Sequence, residues 1–210
     1  MVELKVKVTF DEEVLGTANS NPDIHRKYIA ENAENSEKVE EEVSSVVPDE
    51  TAEETFEKAV TIFSKNSKGE PIVWDYQWKG YFKDIFKTLR KIPKTKCAAI
   101  KNYKQEIDGL VFIFPRQIPI DLNDGEIGIC QRPLRASTPQ GERVALASSE
   151  SIPVGSSMIF TIQLLNPGDE KAIIEALNYG RLRGFGQWRN SGKGRFHYEI
   201  LDRTETEDLF

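Results

Sequence analysis

Residues 180–194 read GRLRGFGQWRNSGKG, and their types bring together what the recognition of a phosphate-bearing chain requires. Five glycines, at 180, 184, 186, 192 and 194, let the backbone turn through positive φ and come close to a ligand. Amides exposed in such turns form an anion-binding concavity. Arg181, Arg183, Arg189, Lys193 and, just beyond, Arg195 supply cations, and the planar fork of arginine grips phosphate through two bonds at once. Phe185 and Trp188 offer flat rings on which unpaired bases stack. The chemistry is non-covalent: backbone neutralisation plus stacking, as in single-stranded nucleic-acid binding. The plainer alternative is a flexible turn whose arginines keep it soluble. A P-loop is excluded, because no Gly-Lys-Ser/Thr follows a strand here.

A second basic feature runs from Asp75 to Lys104, with nine cations against Asp75 and Asp84. Within it Lys79, Lys83, Lys87 and Lys91 recur at steps of four and mark one face of a helix. That face either helps track phosphates or is an ordinary solvated surface. A third set, Arg132, Arg135 and Arg143, falls on an expected hairpin.

Catalytic chemistry has few carriers. His25 stands beside Asp23, Arg26 and Lys27, where an imidazole could take a proton from a ribose hydroxyl while a cation steadies the phosphorane. Asp23 could serve a metal-assisted cut. His197, the other histidine, reads as a half-exposed sheet residue. No serine–histidine–acid or cysteine–histidine arrangement can be picked out, and metal-ligand spacings are absent. Cys97 and Cys130 read as reduced, buried thiols, and no cofactor is expected.

The net charge of −6 hides a strong asymmetry. Between Asn32 and Lys58 ten acids stand against Lys38 and Lys58, so this segment carries eight net negative charges and the rest of the chain is mildly basic. Poor in aromatics, residues 32–58 read as a flexible acidic insertion, a solvated spacer or a tail that covers a basic surface. Hydrophobic residues at 39% suffice for a core, and no apolar run approaches the roughly 20 residues needed to cross a bilayer. The alternating N-terminus lacks a signal peptide's apolar stretch, so a cytoplasmic protein is expected.

The elements that must position these residues follow from periodicity. Val2, Leu4, Val6, Val8 and Phe10 alternate over one strand. A short helix is expected at 23–31, with Pro22 at its first position, and a short strand at 60–64. Trp78, Phe82, Ile85, Leu89 and Ile92 form the apolar stripe of a helix over 76–92 that Pro93 stops. Strands are expected at 107–114, 126–133, 142–148, 156–166 and 195–201. A helix is expected at 169–179, ended by Gly180, and a loose polar tail at 202–210. Without the loops the order is βαββαβ, that of an α+β, ferredoxin-like domain: an antiparallel sheet with two helices on one face, an added β-hairpin and the acidic insertion. Residues 1–210 read as a single domain.

With those elements in place, GRLRGFGQWRNSGKGRF resembles the C-terminal glycine-rich loop of the RAMP superfamily, which includes backbone and crRNA-processing subunits of CRISPR effector complexes. Three further segments resemble that family in order. GEPIVWDYQWKGYFKDIFKTLR places Lys79 and Gly80 at its lysine–glycine and Arg90 later in the helix. ERVALASSESIPVGSSMIFTIQLL places Glu150, Pro153, Gly155 and Phe160 on its approach to a strand. VKVTFDEEVLGT resembles its first strand and turn. The resemblance implies a ferredoxin-like or RRM-like core, binding to an RNA backbone and head-to-tail assembly along RNA. It also departs from the family, because Asp75-Tyr76-Gln77-Trp78 replace the usual glycine–serine–serine. The resulting expectation is a divergent RAMP-like protein that binds single-stranded RNA, or single-stranded DNA, as a subunit of a ribonucleoprotein assembly. Two other readings are a phage or mobile-element factor that docks on a host CRISPR-type complex, and a metal-independent ribonuclease using His25.

Overall fold

The computed structural model of the chain describes residues 1–19, 60–138 and 141–206, and over 134–138 and 141–145 it describes the backbone alone. In chain order these residues form β1 (Val2–Phe10), β2 (Val14–Leu15), β3 (Ala18–Asn19), β4 (Thr61–Ile62), β5 (Ser64–Lys65), β6 (Pro71–Trp74), α1 (Asp75–Leu89), α2 (Lys96–Ala99), α3 (Tyr103–Leu110), β7 (Val111–Phe114), β8 (Gln117–Asp121), β9 (Gly128–Thr138), β10 (Gly141–Ile152), β11 (Ser157–Leu164), α4 (Glu170–Arg183) and β12 (Phe196–Glu205). The expected short helix at 23–31 and the acidic insertion 32–58 lie outside the described residues.

The main sheet runs β12–β1–β11, with β7 and β8 end to end along the far edge of β11 and β6 and β5 beyond β8. All its pairings are antiparallel. Strand β1 lies between β12 and β11, and the five alternating residues that define it are all 0–1% exposed. They pack beneath α1 and α4, whose inward residues include Trp78, Phe82, Ile85, Ile173 and Leu177. The architecture is α+β with a mostly antiparallel sheet, consistent with a ferredoxin-like fold. A second sheet runs β2–β10–β4–β3, and β9 pairs with β10 in unbroken register from Gly128–Ser151 to Thr138–Gly141. The hairpin is thus longer than the sequence suggested.

Several boundaries moved for local reasons. Helix α1 ends at Leu89, short of the expected Ile92, which is 49% exposed. Proline disfavours the helical conformation for the residue before it, and the Thr95 hydroxyl lies 3.0 Å from both the Leu89 and Ile92 carbonyls. Ile107 belongs to α3 rather than to a strand over 107–114, because Tyr103 and Ile107 bury one helical face before β7 starts at Val111. Helix α4 runs through Gly180 and ends before Gly184, whose φ is +76°. Gly180 serves packing instead: a Cβ there would lie 2.2 Å from Cζ of Phe196. Strand β12 takes in residues 202–205 of the expected loose tail. Arg203 ties it to α4 through paired bonds of 2.7 and 2.9 Å to Glu170, which hold the Glu170 carboxyl below its ordinary range.

At the start of α4, Asp169 is 6% exposed and its Oδ2 has no partner among the described residues, nor has Oε2 of Glu106 on α3. Burial raises the Asp169 pKa, and the neighbouring Glu106 charge adds to the rise. A raised acid destabilises the fold only where it must ionise. The penalty is therefore absent in acid and grows as pH climbs from the ordinary aspartate value through the raised one. Asp169→Asn, which keeps the side chain's shape and removes its charge, is expected to melt higher than wild type at about pH 7, with the gain shrinking toward about pH 4. Thermal melts across pH check this, and parallel curves would refute it.

Candidate nucleic-acid interface

The glycine-rich loop is strapped down on every side. Gly184, Gly186, Gly192 and Gly194 all adopt positive φ, as does Trp188 at +55°. The Phe185 amide donates to the Gly194 carbonyl and the Gly194 amide to the Glu13 carbonyl, both at 2.8 Å. The Asp11 amide donates to the Arg195 carbonyl at 2.8 Å. Lys193 Nζ meets Glu13 Oε2 at 2.6 Å, a bond that raises the lysine pKa. Arg183 and Arg189 converge on one oxygen of Asp84, at 3.2 and 2.9 Å. Arg183 also donates to Asn190. The loop is a folded hub linking α1, α4 and the turn after β1, not a free tether.

This folding separates the two expected stacking rings. Phe185 is 4% exposed and lies flat on Trp78, with centroids 4.6 Å apart. Positive φ at Gly184 and Gly186 turns the ring between them inward, away from the loop's outer surface, and apolar burial holds it there. Trp188 does the opposite. It is 40% exposed, and the guanidinium of Arg132 lies 5.0 Å from its ring centroid. Arg132 is itself buried, bonded to Gln187 at 3.0 Å and reaching Ser149 at 3.4 Å. A cation under one face fixes the ring and favours its electron-rich surface, so hairpin and loop together present a rigid aromatic plate.

The remaining candidates divide. Arg181, Arg195 and Lys87 are exposed. Lys79 donates to the Asp108 carbonyl at 3.2 Å and covers the Phe112 ring, and Lys83 pairs with the Asp108 carboxylate. The lysine stripe is thus partly committed to α3 and β7. The Arg135 and Arg143 side chains, together with Asp23 and His25, lie outside what is described. His197 is exposed, with Nδ1 2.7 Å from Oδ1 of Asp11. Of the thiols, Cys97 is buried and Cys130 half-buried. Among the described residues no group of three His, Cys, Asp or Glu side chains is placed to hold a metal ion, and no helix is long and apolar enough to cross a membrane.

Sequence reasoning missed two things here. Asp84 and Glu13 anchor the loop, and the only signal for Asp84 was its isolation among lysines. A cavity of about 570 Å³ also opens between the loop, the start of α1 and the second sheet, floored by Leu15, Trp74 and Phe185.

No protein-family model and no curated protein matches the sequence. Among solved structures, a chain of the Type III-B Cmr-beta complex bound to cognate target RNA matches 97% of this chain at 11% identity, with a TM-score of 0.51. This chain spans 60% of that subunit's length. A chain of a Type IV-B CRISPR complex matches over 100% of this chain and 96% of its own, at 8% identity and a TM-score of 0.49. On the first of these likenesses, the chain shares the fold of that Type III-B Cmr-beta chain.

Proposed function

We propose that this protein is a RAMP-like RNA-binding subunit of a CRISPR-type nucleoprotein complex, its core β1–α1–β7–β11–α4–β12 a divergent βαββαβ domain. The observation that carries the reading is the plate formed by Trp188 over Arg132, set in a glycine-rich loop whose cations Arg183, Arg189 and Lys193 are held in place by Asp84 and Glu13. Stacking on such a ring is tolerant of sequence, and arginines beside it suit the backbone. The fold likeness to a subunit from a complex bound to target RNA supports the same conclusion. RNA then passes over Trp188 toward the exposed Arg181 and Arg195, with Lys87 as a further cation.

Fluorescence polarisation of a labelled single-stranded RNA, the matching DNA and a duplex across a salt series tests this. Single-stranded RNA is expected to bind most tightly, with affinity falling linearly in log salt. Arg181→Gln with Arg195→Gln is expected to reduce that slope by about one to two. These two arginines are better probes than Arg183 or Arg189, whose replacement would also disturb the Asp84 clamp. Absence of binding to all three nucleic acids would refute the reading and turn attention to protein docking.

A further inference from the structure

Gly80 carries a cost that local packing does not explain. It lies in the interior of α1, exposed, and a Cβ built on it meets nothing within 4 Å. Glycine in a helix interior costs about 1 kcal/mol relative to alanine. What its missing side chain does leave open is the mouth of the 570 Å³ cavity, which Gly80 and Gly186 both line.

The cavity is built as a ligand site. Its volume falls within the range of about 300–1,000 Å³ common for small-molecule pockets, and an apolar floor with a few placed polar groups is their usual composition. Trp74 in the floor is fixed on three sides. Its indole N–H donates to Ser64 Oγ at 3.2 Å, Tyr76 stacks on it with planes 10° apart, and the Arg116 guanidinium lies 5.0 Å from the ring. Gln77 at the rim is held as firmly: Oε1 accepts from the Trp74 amide at 2.8 Å and Nε2 donates to Thr17 Oγ1 at 2.7 Å. That leaves the second amide hydrogen of Gln77 and the hydroxyl hydrogen of Thr17 as donors. Arg189 stands at the edge, oriented by Asp84.

We propose that this cavity takes one unstacked nucleobase of the bound strand. Aromatic and apolar walls hold the ring, Gln77 and Thr17 meet its polar edge, and Arg189 meets its phosphate. The inference rests on the RNA-binding reading and deepens it, because this site would read a base where the Trp188 plate only supports one.

Gly80→Leu tests it by filling the mouth. A leucine suits helix interiors and meets no obstruction at Cβ, so the variant should melt no lower than wild type. Two readouts are compared. One is the change in intrinsic tryptophan fluorescence on titration with each nucleoside 5′-monophosphate. The other is the ratio of affinities for a single-stranded RNA and an equally long strand of abasic ribose phosphates. Wild type is expected to respond to at least one nucleotide, and Gly80→Leu to none. The affinity ratio should be about tenfold larger in wild type than in Gly80→Leu, the size of one lost base contact. Strand binding with no nucleotide response and equal ratios overturns the base site and leaves RNA binding standing. A nucleotide response that Gly80→Leu abolishes, with no strand bound, keeps the site and overturns the RNA reading. A response that survives in Gly80→Leu overturns the location.

Discussion

Phe185→Ala is expected to cost about 3–5 kcal/mol of stability, whereas Trp188→Ala, three residues on, costs about 1 kcal/mol and instead removes about tenfold or more of the affinity for single-stranded RNA. The difference comes from burial. Phe185 is packed among Trp78, Phe10 and Tyr81, and truncating it leaves a cavity that these rings on α1 and β1 cannot fill. Trp188 is 40% exposed and lies over Arg132, so its loss forfeits that cation–π contact without opening a core cavity. Urea denaturation and fluorescence polarisation on both variants separate the roles. A Trp188→Ala variant with wild-type RNA affinity would remove the plate from the interface, and a Phe185→Ala variant of wild-type stability would contradict its place in the core.

Gly194→Ala is expected to be the most damaging single-methyl addition in the glycine-rich loop. Its φ of +70° already disfavours a side chain, at about 1–2 kcal/mol. The added Cβ would also lie 1.9 Å from the Phe185 carbonyl oxygen, so the backbone must shift. That shift breaks the two 2.8 Å bonds through which Gly194 joins Phe185 to Glu13. A total loss of about 2–4 kcal/mol is expected, with weakened RNA binding as Trp188 and Arg189 lose their setting. Gly69→Ala is the control. It shares a positive φ, +80°, yet its Cβ would meet nothing within 4 Å, so only the conformational cost of about 1–2 kcal/mol applies. Equal losses for the two variants, measured by urea denaturation, would show that close approach plays no part at Gly194.

Much of the frame was legible beforehand. The period-two alternation of β1 and the three-and-four spacing of Trp78, Phe82, Ile85 and Leu89 report burial through local geometry, and the structure buries all of them. Gly180 shows where such reading slips. A glycine near a helix end signals a stop, but this one makes room for Phe196, sixteen residues away. The two-residue strands β2 and β3 carried too few residues for any period to register, and the second sheet they help build went unseen.

For the interface, the sequence by itself determined the inventory: glycines, arginines and two aromatic rings within one short stretch and, far upstream, a helix rich in lysine. Those facts are compositional and need no partner. Only the tertiary structure decided their duties. Which ring faces outward depends on the φ angles around it and on Trp78, more than a hundred residues earlier. Which arginines are held depends on Asp84, 99 and 105 residues from the two it clamps. Contacts over such separations leave no local period in a chain, because they are set by how α1 and α4 pack on the sheet rather than by the residues beside them.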